Sequence, residues 1–171
     1  MNGGTYPDMP FNQQVTFPRE LTLRTTAEGP RLFRKPIREL ESLHEREDLW
    51  TNRTLNAGQT LPLAPAGDLF RVQAEVTIEE GSTLTVNVRG TKLILARQSM
   101  TCGAKPVSIS PALTDVEVLV DRTSVEVFAN DGANSLSKCF LPTESGLSVK
   151  ATGGRVIIKS LKLVHLKSAW N

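Results

Sequence analysis

Apolar and polar residues alternate along most of the chain, most regularly between residues 116 and 141. A two-residue hairpin loop at Arg122-Thr123 would place apolar residues in facing pairs on one side: Val120 with Val125, Val118 with Val127 and Val116 with Ala129. The other side would carry a mixed set: Glu117, Leu119, Glu126 and Phe128. A shift by one residue would exchange the two sides, so the pattern specifies this register. The stretch predicts the central meander of a β-sandwich.

Short strands of the same kind are predicted before and after this meander, separated by turns rich in Gly, Pro, Asn and Asp. They cover residues 15–23 (interrupted by Pro18), 31–34, 50–55, 59–63, 69–78, 82–89, 91–97, 107–109, 147–151 and 155–166, with a loop at 100–106. In the last strand, Lys159 and Ser160 break the alternation and predict a bulge. Within 36–48, apolar residues recur every third position and predict a short helical turn. The predicted fold is all-β, a two-sheet antiparallel β-sandwich of jelly-roll or concanavalin-like type.

Two separated segments resemble one known family. DRTSVEVFANDG, residues 121–132, resembles the signature of the C-terminal β-sandwich of glycoside hydrolase family 32, which includes levanases, inulinases and invertases. MPFNQQVTFPRELTLR, residues 9–24, resembles the segment by which those enzymes leave their catalytic β-propeller. The resemblance implies three regions. Residues 1–24 would be a remnant of the last propeller strand and the entry segment, 25–48 a connector and 49–171 the sandwich.

The resemblance also implies that the catalytic acids lie on the propeller, in Trp-Met-Asn-Asp-Pro-Asn-Gly, Arg-Asp-Pro and Glu-Cys motifs. This sequence contains none of the three. A retaining glycosidase needs two carboxyl groups roughly 5 Å apart, so we expect no catalytic residue, metal or cofactor in this chain. The signature residues are interpreted as structural: Asp121, Glu126, Phe128, Asn130 and Gly132. Asp121 fits the hairpin turn, and pairing with Arg or Lys would satisfy Glu126.

Charge and composition narrow the classes of partner. The formal net charge is +2 with acids and bases interspersed, which gives no electrostatic case for nucleic acid or an anionic membrane. No apolar run is long enough to span a bilayer, and the first residues show no secretory signal, so a cytoplasmic location is the default expectation. Cys102 and Cys139 are interpreted as two separate thiols rather than a disulfide framework or a metal site.

Three functions remain open at this point. The first is a non-catalytic module that packs on a catalytic β-propeller of a fructan-hydrolysing enzyme, with its footprint on the mixed face of the meander or on the strand containing Pro18. The second is a stand-alone module that binds fructan or another oligosaccharide, with Trp50, Tyr6 and Trp170 as scattered candidates for sugar stacking. The third is a homodimer formed by strand addition along Val15–Leu23.

Overall fold

The computed structural model describes residues 15–103 and 105–169, and within them fourteen strands and one 3₁₀ helix are present. The strands are β1 Arg19–Thr26, β2 Gly29–Pro36, β3 His44–Leu55, β4 Thr60–Leu63, β5 Phe70–Ile78, β6 Thr83–Val88, β7 Thr91–Ala96, β8 Ser99–Thr101, β9 Val107–Ser108, β10 Asp115–Val120, β11 Ser124–Ala129, β12 Asn134–Cys139, β13 Leu147–Thr152 and β14 Val156–Leu166. The 3₁₀ helix spans Arg38–Leu43.

The strands form a two-layer sandwich with a separate hairpin. The first sheet has the order β12-β11-β10-β5-β14-β3, and the second has the order β4-β13-β6-β7-β8-β9. All pairings are antiparallel, and β1 pairs with β2 as a third, two-stranded sheet. One main apolar cluster draws residues from both six-stranded sheets, for example Val127 and Leu163 from the first and Leu93 and Val149 from the second. The predicted β-sandwich is therefore confirmed.

The register of the central meander is also as predicted. Val118 lies opposite Val127 and Val120 lies opposite Val125, and all four side chains are buried in the main core. The Asp121 N–H donates to the Ser124 carbonyl at 3.0 Å, which closes the two-residue loop. Period-two alternation fixes which side chains point inward, so the pattern alone was sufficient here.

Several boundaries differ from the sequence prediction. β1 begins after Pro18 and runs to Thr26, and residues 15–18 are not in a strand. β3 starts at His44 rather than Trp50, because its partner β14 continues to Leu166 and pairs along the added length. The predicted loop at 100–106 contains the short strand β8 around the buried Met100.

The short helix and the bulge in β14 are both found where the sequence predicts them. Ile37, Leu40 and Leu43 recur every third residue, and this spacing matches the three residues per turn of the 3₁₀ helix found there. The pairing of β14 with β5 shifts between Ile158 and Ser160, which is the bulge predicted from the broken alternation.

The chain itself buries Leu119, Glu126 and Phe128 of the mixed face, so of the two predicted footprints the strand containing Pro18 is the more exposed. A second apolar cluster contains Leu119 and Phe128 of the meander, Val164 and Leu166 of β14, and Leu40 of the 3₁₀ helix. Phe17, Ile37 and Leu43 pack against it from the same N-terminal part of the chain. The segment from Phe17 to Leu43 therefore forms a strap across the outer face of the first sheet.

Candidate docking surface

The hairpin β1–β2 is built on a regular alternation closed by a short turn. The two strands pair over eight positions each, from Arg19 opposite Pro36 to Thr26 opposite Gly29. The Thr26 hydroxyl donates to the Gly29 carbonyl at 2.8 Å and accepts from the Glu28 N–H at 3.2 Å. Gly29 has a φ of 104°, a conformation that glycine adopts without steric cost. These contacts close the turn of the hairpin.

A buried carboxylate holds the start of the hairpin on the first sheet. Glu126 is 1% exposed, and its Oε1 accepts the Phe17 N–H at 2.7 Å. Its Oε2 pairs with the guanidinium of Arg19, which also donates to the Ser137 hydroxyl at 2.7 Å. The same guanidinium lies over the ring of Phe128, 5.2 Å from its centroid. A charge buried this deeply needs partners of this kind, so Glu126 acts as an anchor for the strap.

Asp131 holds the middle of the hairpin. Its carboxylate pairs with Arg24 at 2.6 Å and with the ammonium of Lys35. Partial burial works to raise the pKa of Asp131, but the hydrogen bonds and positive charges of Lys35 and Arg24 outweigh it and hold that pKa below its ordinary value. Arg24 also lies over the Phe33 ring, 4.4 Å from its centroid. Both strands of the hairpin are thus tied to one turn of the sandwich.

The turn at residues 130–132 depends on the signature residues Asn130 and Gly132. The Arg34 N–H donates to the Gly132 carbonyl at 2.9 Å, and a Cβ at Gly132 would lie 2.2 Å from the Arg34 carbonyl oxygen. Gly132 also has a φ of 88°. Asn130 accepts the Thr114 N–H at 3.0 Å through Oδ1 and donates to the Pro111 carbonyl at 3.0 Å. The signature therefore fixes the backbone on which the hairpin rests.

One side of the hairpin exposes three leucines. Leu23 lies opposite Leu32, and Leu21 is on the same side of β1. These three side chains are 71%, 38% and 59% exposed respectively. Within the described residues, β1 pairs only with β2, so its other edge carries backbone groups without a strand partner. We call Leu21, Leu23, Leu32 and this edge the docking face.

The other sites predicted from sequence lie apart from the docking face or outside the described residues. Asp121 accepts the Arg122 N–H at 2.7 Å in the hairpin loop of the meander. Trp50 is partly buried in β3 and packs against the main core. Tyr6 and Trp170 lie outside the described residues.

The contribution of Arg19, Arg24 and Lys35 was not anticipated from the sequence. Their partners are more than ninety residues away in the chain, so spacing gives no signal for the pairing. The one available hint was charge: residues 9–24 contain Arg19 and Arg24, and residues 121–132 contain Glu126 and Asp131. The structure brings these motifs together as two sides of one contact.

Both cysteines are free thiols, each partly buried. Burial raises the pKa of the Cys102 thiol, an effect that the positive charge of Lys138 only partly offsets. In residues 15–103 and 105–169, no group of three His, Cys, Asp or Glu side chains is arranged to hold a metal ion. The same residues include no helix of the length and apolarity that crossing a membrane requires.

Comparison with known proteins gives a consistent result. Residues 82–165 match the family described as glycosyl hydrolases family 32 C terminal. The chain is 29% identical over 194 residues to a levanase of Bacillus subtilis strain 168, covering 96% of this chain and 29% of the levanase. It is 30% identical over 136 residues to a sucrose-6-phosphate hydrolase of Klebsiella pneumoniae, covering 78% of this chain and 27% of that enzyme. The chain thus spans less than a third of either relative.

Solved structures share the fold. The exo-inulinase of Aspergillus awamori superimposes with a TM-score of 0.75 at 20% identity, covering 98% of this chain and 38% of the enzyme. Fructan 1-exohydrolase IIa of Cichorium intybus gives a TM-score of 0.69 at 17% identity, covering 90% of this chain and 41% of that one. At these identities the likeness establishes the fold alone.

Proposed function

We propose that this chain, whose residues 82–165 match the C-terminal domain of glycosyl hydrolase family 32, is a non-catalytic module that docks on a catalytic β-propeller through its docking face. The observation that carries this proposal is the exposed apolar side of the hairpin, Leu21, Leu23 and Leu32, next to the unpaired edge of β1. An edge of this kind is a site for strand addition, and apolar side chains beside it supply contact area.

The module boundaries are proposed on the same basis. The sequence-based division at residues 24 and 25 falls inside β1, which runs from Arg19 to Thr26. We therefore assign the whole hairpin to the docking region, the 3₁₀ helix to the connector and β3 to β14 to the sandwich. We propose that the partner propeller acts on fructosyl linkages, since the relatives named above include a levanase and an exo-inulinase.

A chimaera tests the docking face. The C-terminal domain of the Bacillus subtilis levanase is replaced by this chain, and the thermal midpoint and levan hydrolysis of the product are measured. We expect Leu21→Glu with Leu23→Glu to lower the midpoint of the catalytic domain, because two charges would then enter an apolar contact. Leu141→Glu with Ile94→Glu is the matched control, since Leu141 and Ile94 are also exposed apolar residues but neither is part of the hairpin.

Equal effects of the two double variants in the chimaera would contradict the proposal. The isolated chain provides a second test of the non-catalytic role. Incubated with sucrose and with levan, it is expected to release no fructose above background. Fructose release that scales with chain concentration would overturn the assignment.

Self-association is the second candidate, and the free edge of β1 is the observation that favours it. Two copies could each add a β1 strand to the other. Light scattering across a range of chain concentrations distinguishes the candidates. A concentration-dependent dimer that Leu21→Glu with Leu23→Glu dissociates would support self-association, whereas a monomer at high concentration would exclude it.

A further inference from the structure

The outer face of the first sheet contains a polar groove that docking leaves open. Its volume is about 460 Å³, within the range of small-molecule sites. Strands β14, β5 and β10 form its floor, and Lys35, Pro36 and the turn at Asp131-Gly132 form one wall. Lys35 is on the sandwich-facing side of the hairpin, opposite the side of Leu21 and Leu23. A partner on the docking face would therefore leave this groove accessible.

Two rows of polar side chains cross the floor of the groove. One row contains Lys162, Gln73 and Glu117, and the next contains Ser160, Glu75 and Asp115. Neighbouring strands lie about 4.8 Å apart, so a row of three spans about 10 Å. Each row presents hydrogen-bond donors beside acceptors. This is the arrangement that a ligand with several hydroxyl groups can satisfy.

The floor is organised by a buried arginine. Arg71 is 9% exposed and pairs with Glu117 at 2.6 Å and with Glu41 of the 3₁₀ helix at 2.6 Å. Burial opposes its charge, but the two carboxylates outweigh that effect and raise the pKa of Arg71. With its amide oxygen turned towards Arg71, Gln73 accepts from Nη2 at 2.7 Å. The amide nitrogen of Gln73 is then left as a donor for a ligand.

Several of the charges lining the groove are paired within the protein. Lys162 pairs with Glu47 at 3.0 Å, and Asp131 pairs with Arg24 and Lys35. Asp115 accepts the Asp131 N–H at 2.7 Å and the Thr114 hydroxyl at 2.9 Å. Asp115 and Glu75 lie opposite each other, and their carboxylate oxygens can accept from the hydroxyl groups of a ligand. Beside them, a neutral ligand with several hydroxyl groups can also accept from Lys162 and Gln73.

We propose that this groove binds a neutral oligosaccharide, with Gln73, Glu75 and Lys162 as its main hydrogen-bonding side chains. Trp50 does not line the groove. Phe128 lies beneath the floor and is 3% exposed, so ring stacking contributes little. Recognition instead depends on polar side chains held in rows by the sheet. This role goes beyond docking on a catalytic domain.

The test is an NMR titration of the whole chain with defined probes. The neutral probes are maltopentaose, cellopentaose and a β-2,1-linked fructo-oligosaccharide, and the charged probes are an oligogalacturonate and a chitosan oligomer. We expect at least one neutral probe to shift the amide signals of Gln73, Glu75 and Lys162. Gln73→Ala and Lys162→Ala should each weaken binding of that probe about fivefold, the loss of one net hydrogen bond.

Lys92→Ala is the matched control, because Lys92 is also an exposed lysine on a strand but belongs to the second sheet. It should leave binding unchanged. Three outcomes would overturn the proposal: no neutral probe shifts the groove signals, Lys92→Ala weakens binding as much as Lys162→Ala, or a charged probe binds more tightly than every neutral one. Since Leu21 and Leu23 lie on the other side of the hairpin, failure here is separable from failure of docking in the chimaera.

Discussion

At the scale of single residues, the acidic residue in the middle of the signature has a structural task. Glu126 is buried, and its two oxygens receive the Phe17 N–H and the Arg19 guanidinium. Both carboxylate oxygens are therefore occupied by groups of the same chain. The value of Glu126 lies in joining two parts of the chain that are more than one hundred residues apart.

Glu126→Gln should lower the free energy of unfolding by about 3 kcal/mol, because Arg19 would lose the buried partner of its charge. Urea unfolding followed by circular dichroism measures the change. Glu80→Gln is the control, since Glu80 is exposed and lies 3.8 Å from Arg97, and its loss should cost less than about 0.5 kcal/mol. Similar losses in the two variants would show that Glu126 is not an anchor.

Gly132→Ala should destabilise the chain for two reasons, its positive φ and the close approach of the Arg34 carbonyl. Gly58→Ala separates these causes, because Gly58 has a φ of 86° but no atom within 4 Å of the position of its Cβ. We expect about 1 kcal/mol for Gly58→Ala from backbone conformation and a clearly larger loss for Gly132→Ala in the same urea assay. Equal losses would mean that the contact with Arg34 relaxes without cost.

At the scale of elements, charge pairs rather than a large apolar contact attach the hairpin. The pairs of Asp131 with Arg24 and Lys35 bridge the hairpin and the sandwich, and the Arg31 guanidinium donates to the Ser110 carbonyl at 3.2 Å near the hairpin tip. Opposite charges across a polar contact fix orientation more than they add stability. The hairpin therefore keeps its apolar side turned outward.

The attachment through Asp131 should weaken in acid. The pKa of Asp131 is lowered in the folded chain, so its contribution to stability is complete above the unfolded value of about 3.9 and is lost as the pH falls through the lower, folded value. The stability difference between the wild type and Asp131→Asn should be largest at neutral pH and shrink below about pH 4. Urea unfolding of both proteins across this range measures it, and a difference independent of pH would exclude the linkage.

At the scale of the whole molecule, the sandwich has an apolar layer outside its main core. Leu119, Phe128 and Val164 point away from the space between the sheets and are buried by the strap from Phe17 to Leu43. Fully burying one such side chain contributes about 1.5–3 kcal/mol. The strap is consequently part of the folded sandwich rather than a passive linker.

A chain beginning at His44 should therefore be markedly less stable than one beginning at Val15. Removal of the strap uncovers the second cluster and leaves Glu126 without Arg19. We expect a lower urea midpoint and stronger binding of a hydrophobic dye for the shorter chain. The chain beginning at Val15 is the control, since it keeps every described contact of the cluster. Equal midpoints would contradict a structural role for the strap.

The sequence by itself determined most of the strands, their inward faces and the register of the meander. Period-two alternation decides which side chains face the core, and a two-residue loop decides which residues face each other. The threefold spacing of Ile37, Leu40 and Leu43 likewise sufficed for the 3₁₀ helix. Each of these features depends on neighbours close in the chain, where spacing carries the information.

Only the tertiary structure decided what covers the mixed face and how the hairpin is held. The pairs of Glu126 with Arg19 and of Asp131 with Lys35 join residues far apart in sequence. The sequence of a strand does not show whether a polar side chain is exposed to solvent or contacts a residue far away in the chain. The tertiary structure decides between these cases. Burial makes an ion pair necessary at Glu126, whereas Leu21 and Leu23 remain exposed.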